Sequence, residues 1–333
     1  MESENVNKVA VVTGDLTIDW NLALITSSEN EYSRSVWWKD NYASICQQYG
    51  GAALLADLAS RIADDLQQDG TTEWEVLSNK PPRNEIFPGD QQFHHSHALW
   101  TRSPDKDQAW RVKTFLGLSR SPLEGVENWQ FGKDDPEYAN LVVLDDASLG
   151  FRERKELWPR ALKNITRSPW ILIKMARPVA RGALWQHLHK YYADRLIVVM
   201  NITDLRHTEV QISPELSWER TAQDLYWELT HNFRVNALSR CAHVIVSFDT
   251  AGAFLMTRTV PEDNDVSGIP ESYKCKLFFD PLIVEGMWKQ SYPGGMIGYT
   301  TCLSAGIARQ IMIDEQNPDL SKGIQSGLAA MRM

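Results

Sequence analysis

Four short apolar runs recur from residue 141 onward, separated by stretches with helical periodicity. The runs are Leu141–Leu144, Trp170–Met175, Leu196–Met200 and His243–Phe248. The intervening patterns favour helices over Arg152–Lys163, Arg181–Tyr192 and Trp218–Leu238. Strands that alternate with helices are joined by crossover connections and run parallel to one another. The spacing therefore predicts a three-layer α/β/α sandwich around a mostly parallel sheet.

The N-terminal part of the chain adds one more strand and a long helix. Val9–Thr13 has the pattern of a buried strand and ends in a Gly14-Asp15 turn. A helix is predicted over Tyr49–Leu66, and it opens with Gly50-Gly51. This diglycine indicates either a close approach of the backbone to a partner or a plain turn. One face of the helix carries Leu54, Leu55, Leu58 and Ile62.

Residues 68–140 differ in amino-acid composition from the rest of the chain. They are rich in Pro, Asp, Asn and Gln, with short strand-like runs such as Trp110–Leu116. We expect a single domain over residues 1–333 in which 68–140 contribute a small lid or an edge sheet. Near the C-terminal end, Lys276–Phe279 is predicted as an edge strand and Leu320–Met333 as a helix.

The charge and hydropathy of the chain narrow the classes of partner. A net charge of -9 argues against a nucleic acid or an anionic membrane as the main partner. Every apolar run is shorter than ten residues, too short to span a bilayer. The first residues, Met1–Lys8, are polar and acidic, so no signal peptide and a cytoplasmic location are expected.

Polar side chains follow several of the predicted strands, where ligands of parallel sheets bind. Asp145-Asp146 either line this cleft or cap the next helix. Lys174 and Arg177 either neutralise an anionic ligand or form a solvated strand end. His94, His95 and His97 are interpreted as an exposed lid strand, and no metal site is predicted.

The order of these motifs resembles the ribokinase (PfkB-like) family of carbohydrate and nucleoside kinases. Gly14 is followed by Asp19, at the place where the family binds substrate hydroxyls through an aspartate. Gly50-Gly51 matches the family's diglycine, which lets backbone approach the substrate. A turn-capping role is the alternative for Asp19. The family's nearby substrate Asn is replaced by Leu54-Leu55.

The resemblance also implies a nucleotide side of the cleft. Asn201 and Asp204 stand where the family has Asn-x-x-Glu, which organises Mg²⁺ and phosphate through water. A helix N-cap is the alternative interpretation of this pair. Gly252 matches a glycine of the turn that lies along the nucleotide, whereas Asp249 replaces the first glycine of that turn and adds a negative charge.

The catalytic motif of the family is altered in this chain. Family members begin a helix with Gly-Ala-Gly-Asp, whose N–H groups stabilise the phosphoryl group and whose Asp is the general base. Here Gly295 and Gly298 precede the helix, and Thr301 stands in place of the Asp. Threonine is no base near neutral pH, so Asp280 or Glu285 is the candidate substitute.

Three functions follow from this resemblance. The first is a divergent, pseudokinase-like protein that binds a nucleotide, nucleoside or sugar, with phosphotransfer weak or lost. The second is an active kinase that uses ATP, Mg²⁺ and a substitute base. The third is a non-enzymatic assembly domain. A homodimer is left open, and so is a fusion to further domains, because family members usually continue a little beyond the point that matches residue 333.

Overall fold

The computed structural model describes most of the sheet and its covering helices. The described residues are 8–24, 42–78, 99–102, 110–115, 139–147, 169–175, 188, 190–205, 218–231, 238, 241–248, 252–259, 272–279 and 299–330. The strands are β1 Lys8–Gly14, β2 Leu16–Leu24, β3 Tyr42–Gly50, β4 Trp74–Ser78, β5 Leu99–Arg102, β6 Trp110–Phe115, β7 Leu141–Asp146, β8 Trp170–Met175, β9 Leu196–Asn201, β10 His243–Ser247, β11 Gly252–Thr259 and β12 Ser272–Phe279. The helices are α1 Gly51–Gln68, α2 Ile202–Leu205, α3 Trp218–His231, α4 Tyr299–Ile313 and α5 Leu320–Ala330.

Eight strands form the central sheet in the order β12-β11-β10-β9-β8-β7-β1-β4. The strands from β4 to β10 in this order are parallel, and β11 and β12 continue the sheet antiparallel. Parallel strands covered on both faces are apolar throughout, which explains why β7 to β10 were visible in the sequence. The predicted mostly parallel sheet is confirmed, with β12 as its edge strand.

The two faces of the sheet are packed against separate helical layers. Alternate residues of each strand enter one of two hydrophobic clusters, as the two-residue period of a strand requires. One cluster includes α1, α4 and α5, and the other includes Leu205 of α2 and Leu225 of α3. The predicted three-layer sandwich is therefore confirmed. Within the described part of the chain, no helix is long and apolar enough to cross a bilayer.

Helix α1 buries a different face from the one its leucines suggested. Leu55 is buried as expected, but Leu54, Leu58 and Ile62 are only half-buried. The buried stripe consists mainly of small side chains, with the members Ala52, Ala53, Ala56, Ala59 and Ala63. Alanines let a helix axis approach its neighbours closely, so close packing decides the inward face of α1.

A second sheet has four antiparallel strands in the order β3-β2-β6-β5. Two of them, β2 and β3, come from residues before 68, and two, β5 and β6, come from the 68–140 segment. Strand β4 of the same segment instead pairs with β1 at an edge of the large sheet. That the small sheet acts as a lid stays a proposal.

The C-terminal end of α4 is held at the amino edge of the large sheet. Trp74 Nε1 donates to the Met312 carbonyl oxygen at 3.0 Å, and Trp170 Nε1 donates to that of Glu315 at 2.8 Å. Asn140 Nδ2 donates to Glu315 Oε2 at 3.1 Å. Fifteen helical residues rise about 22 Å, close to the length of a six-residue strand at about 3.3 Å per residue. The first turn of α4 therefore reaches the opposite, carboxyl edge.

Helix α5 packs on α4 through direct backbone contacts at glycines. A Cβ added to Gly306 would lie 2.3 Å from the Gly323 carbonyl oxygen. One added to Gly327 would lie 2.8 Å from the Cys302 carbonyl oxygen and from Leu303 Cα. Because the obstructing atoms are backbone, a side chain there requires one helix to move.

Gly306→Ala should therefore destabilise the protein. Helix propensity alone would favour alanine by about 1 kcal/mol, whereas overpacking costs about 1–3 kcal/mol. We expect the free energy of unfolding, measured in urea, to fall by up to about 2 kcal/mol. The control is Gln325→Ala at an exposed position of α5, which should change it by less than about 0.5 kcal/mol. A Gly306→Ala protein more stable than wild type would contradict the packing argument.

His243 begins β10 at the amino edge and is kept neutral there. Its Nδ1 lies 3.0 Å from Thr257 Oγ1, and its ring centroid lies 6.0 Å from that of Trp170. Burial, assisted by the charge of Arg258, lowers the pKa of His243 from 6.5 to about 4. Below pH 6.5 the unfolded chain binds a proton that the folded protein excludes, so this histidine makes stability fall between pH 6.5 and 4.

His243→Gln should reduce the acid sensitivity of the fold. A pKa lowered from 6.5 to about 4 corresponds to roughly 3 kcal/mol lost across that range. We expect the free energy of unfolding of the variant to fall less than that of wild type between pH 6.5 and 4. Parallel pH profiles of the two proteins would contradict the assignment of a neutral, buried His243.

Candidate functional site

The turn after β1 ties together β7 and the start of α1. Gly14 has φ +138°, and a Cβ there would lie 2.2 Å from the Asp145 carbonyl oxygen, so only glycine fits. The Asp15 amide donates to that oxygen at 2.8 Å, and the Ala52 amide donates to the Asp15 carbonyl oxygen at 2.9 Å. Gly50 and Gly51 therefore lie beside the carboxyl end of β1.

Asp19 lies within β2, an inner strand of the small sheet, rather than in a turn. Its neighbours across the sheet are Gln48 of β3 and Lys113 of β6. Two residues earlier, Thr17 pairs with Gly50. The backbone thus brings Asp19 near Gly50-Gly51, where the small sheet joins α1. Its role as a substrate ligand stays a proposal.

Four polar residues lie at or next to the carboxyl ends of four adjacent parallel strands, on the same face of the large sheet. They are Asp145, Lys174, Asn201 and Ser247, which belong to β7, β8, β9 and β10. Each lies two residues beyond a member of the cluster that includes α1, α4 and α5. In register, Asp145 pairs with Lys174, and Lys174 pairs with Val199. Asn201 pairs with Ser247, so this second pair lies two residues farther toward the carboxyl edge. The face on which α4 lies therefore ends in a polar row at the carboxyl edge.

Asp145 and Lys174 form an ion pair within this row. Lys174 Nζ lies 2.5 Å from Asp145 Oδ2, and the two side chains are 12% and 1% exposed. A buried carboxylate needs such a partner, because its desolvation costs several kcal/mol. Lys174 is thus not a solvated strand end.

The first turn of α4 lies near this row of polar residues. The turn itself contains no acidic side chain. Thr301, which the resemblance assigns to the position of the family's aspartate, is buried, with 3% of its surface exposed. Burial raises the pKa of the neighbouring Cys302 thiol, and the Lys174 charge opposes that rise, which indicates that Lys174 lies near the turn. The Ser304 hydroxyl donates to the Thr300 carbonyl oxygen at 2.7 Å. This end of α4 offers N–H groups and hydroxyls rather than a base.

Asn201 and Asp204 lie at the transition from β9 to α2. Asn201 ends β9 and immediately precedes α2, and Asp204 is within that helix. Both are half-buried. This position is compatible with the predicted phosphate and Mg²⁺ role and with the N-cap alternative.

Gly252 opens β11 beside the end of β10. Its φ is +139°, and a Cβ would lie 2.0 Å from the Phe278 carbonyl oxygen. Its own carbonyl accepts the Phe248 amide at 2.9 Å. The close approach to β12 explains the glycine, and the predicted nucleotide contact stays a prediction.

The remaining predicted site residues lie outside the described part of the chain. They are Arg177, Asp249, Asp280, Glu285, Gly295, Gly298 and the histidines 94, 95 and 97. Among the residues that are described, no group of three or more His, Cys, Asp or Glu side chains is arranged to hold a metal ion.

Sequence reasoning missed Ser247, and it did not foresee that Asp145 and Lys174 would pair with each other. Ser247 is fully buried, and its hydroxyl has no hydrogen-bond partner in the described structure. The alternation of side chains along β10 could have indicated this serine. Ile245 and Ser247 lie on the same face of the strand, so a serine there occupies a position where a core residue is expected.

Comparison with known proteins gives similarity in structure but none in sequence. No protein-family model and no curated protein matches the chain. The structure is similar to an adenosine kinase of Trypanosoma brucei brucei, with 11% identity, a TM-score of 0.46 and coverage of 98% of this chain and 100% of that one. It is also similar to a Thermotoga maritima 2-dehydro-3-deoxygluconokinase, with 9% identity, a TM-score of 0.43 and coverage of 98% and 93%.

A third neighbour is a Burkholderia thailandensis nucleoside kinase in complex with inosine, with 11% identity and a TM-score of 0.43. The structural match covers 98% of this chain and 91% of the nucleoside kinase. These neighbours are kinases of the ribokinase (PfkB) family that the sequence resembles. At such low identity, the chemistry of the site has to be argued from the residues of this chain.

Asp145→Asn should destabilise the protein strongly, because it leaves the Lys174 ammonium buried without its counter-charge. Removing one partner of a buried pair costs about 3–5 kcal/mol. The matched control is Asp224→Asn, whose ion pair with Arg220 spans 3.1 Å but includes a 62% exposed arginine side chain. That change should cost less than about 1 kcal/mol. Equal losses in the free energy of unfolding, measured with urea, would contradict the structural importance of the Asp145–Lys174 pair.

Proposed function

We propose that this protein binds a phosphorylated small molecule, a nucleotide or a sugar phosphate, in a ribokinase-like cleft, with phosphoryl transfer weak or lost. The observation that carries the proposal is the first turn of α4, which reaches the carboxyl edge of the sheet with Thr301 and no acidic residue. A helix N-terminus at the ends of parallel strands favours an anion. The absence of a carboxylate from that turn removes the base that the family uses there.

The acceptor side of the proposed cleft is formed where the small sheet meets α1. Asp19 lies two residues from the Thr17–Gly50 pair, and Gly50-Gly51 opens α1 beside the carboxyl end of β1. A carboxylate accepts two hydrogen bonds from a diol, which suits a sugar or a nucleoside ribose. We therefore assign the hydroxyl-bearing part of the ligand to this side.

The phosphate side is formed by the row at the ends of β8 to β10. Lys174 supplies an ammonium group that is paired with Asp145, Asn201 supplies an amide and Ser247 a hydroxyl. ATP with Mg²⁺ is the cofactor that the kinase alternative requires. Among the described residues, Asp204 is the carboxylate that the resemblance assigns to Mg²⁺, whereas Asp145 is engaged by Lys174. This arrangement suits binding of a phosphate better than its transfer.

The test compares binding with turnover in wild type, Thr301→Asp and the matched variant Thr301→Asn. We expect calorimetry to detect ADP or a sugar phosphate binding to wild type, and a coupled ADP-release assay over sugars and nucleosides to detect little turnover. Restoring the base should raise turnover in Thr301→Asp but not in Thr301→Asn, because general-base catalysis contributes about 10²- to 10⁴-fold.

Two outcomes would contradict the proposal in different ways. Robust turnover by wild type would point to an active kinase with Asp280 or Glu285 as the substitute base. Failure of wild type to bind any nucleotide or sugar phosphate would favour the assembly-domain alternative.

A further inference from the structure

The small sheet β3-β2-β6-β5 has one polar and one mainly apolar face. Residues directly opposite each other on neighbouring strands share a face, and successive residues of a strand alternate between the two faces. The polar face carries Asp19, Asn21, Gln48, Thr101, Arg111 and Lys113. The other face carries Ile18, Trp20, Trp100, Trp110 and Val112. An antiparallel sheet with this division has one face toward a polar environment, and here that face is the one of Asp19.

The polar face carries more positive than negative charge. Among its paired residues, Asp19 is the carboxylate, and Arg111 and Lys113 are the cations. Lys113 lies directly across from Asp19, with about 5 Å between the Cβ positions, so these two opposite charges attract each other. The register neighbours of Arg111 are Asn21 and Thr101, and both are neutral. The excess positive charge therefore belongs to the row of Arg111.

The row of Arg111 lies farther from the large sheet than the row of Asp19. Strand β2 begins directly after the turn that follows β1, and its Thr17–Gly50 pair lies where α1 begins. The Asp19 row comes two residues later, and the Asn21–Arg111 row two residues beyond that, a further distance of about 7 Å. A small ligand whose hydroxyls meet Asp19 thus has its far end beside Arg111.

The acidic residues of the adjoining elements do not account for the charge of Arg111. In the β1 turn, the first two turns of α1 and β7, these residues are Asp15, Asp57, Asp145 and Asp146. Asp145 is paired with Lys174, and the other three already interact with groups of the protein. All four belong to elements at the near end of β2, on the other side of the Asp19 row from Arg111.

We infer that the hydroxyl-bearing part of the ligand is itself anionic, a sugar with a carboxylate or a phosphate ester, and that Arg111 is the residue that binds this group. The inference rests on the proposed function, in which Asp19 accepts hydrogen bonds from ligand hydroxyls, and it narrows the class of ligand. A guanidinium group binds a carboxylate or a phosphate through two parallel hydrogen bonds. A neutral sugar or nucleoside has no group that uses this charge.

The experiment titrates the full-length chain by calorimetry with compounds that share one sugar ring. The first set is glucose, glucuronate and glucose-6-phosphate, and the second is the same trio built on galactose; ADP is titrated separately. In at least one set, we expect an anionic member to bind at least about tenfold more tightly than the neutral sugar, because a charge-assisted pair is added. Which anionic member gains more distinguishes a carboxylate from a phosphate ester.

Arg111→Gln should weaken binding of that anionic sugar by about 10- to 100-fold and remove its advantage over the neutral sugar. Arg111→Lys keeps the charge without the planar fork, so its affinity should fall between the two. The matched control is Arg102→Gln, on the neighbouring strand and the opposite face of the same sheet. It should bind every compound like wild type. ADP, whose phosphates we assign to the side of α4, should bind all of these variants equally.

The outcomes separate this inference from the function on which it rests. Equal affinity for neutral and anionic sugars, or a preference that persists in Arg111→Gln, would overturn the inference and leave the proposed function standing. A wild-type protein that binds ADP but none of the anionic sugars would do the same. A wild-type protein that binds neither ADP nor any of the sugars would overturn both.

Discussion

The site depends first on how the far end of α4 is held. Asn140 lies just before β7, and its side chain accepts the Val9 amide at 3.1 Å while donating to the Glu315 carboxylate. Trp170 adds a hydrogen bond to the backbone of the same glutamate. These contacts link β1, β7 and β8 to the segment after α4. Because helix and strands have similar lengths, holding one end of α4 at the amino edge determines where its first turn lies.

The large sheet could be predicted from sequence because its strands are covered on both faces. Continuous apolar runs such as Leu141–Leu144 are the pattern that burial on both sides requires. The buried face of α1 could not be predicted in the same way. Alanines form most of that face, whereas an argument from hydrophobic periodicity gives most weight to the leucines. The pairing of β2 with β6 joins residues some ninety positions apart, and nothing local in either strand specifies that partner.

The site was predictable only as far as the strand-end rule extends. The rule directed attention to Asn201, which ends β9, and to Lys174, which is next to last in β8. It could not decide whether Lys174 faces a ligand or an acidic neighbour, because that depends on the register between β7 and β8. Ser247 was missed since a serine at a strand end is unremarkable until its complete burial and missing partner are known, and both are tertiary properties.

The packing of α5 indicates how a helix start without a base can still bind an anion well. Gly327 lies against the backbone of Cys302 and Leu303, so α5 supports the first turn of α4 directly. A first turn held in this way has its N–H groups oriented before any ligand arrives, and preorganisation reduces the entropy lost on binding. The first turn contains no acidic side chain, and a turn without negative charge favours a bound anion. If Thr301 occupies the place of the family's aspartate, as we propose, the same feature disfavours proton transfer.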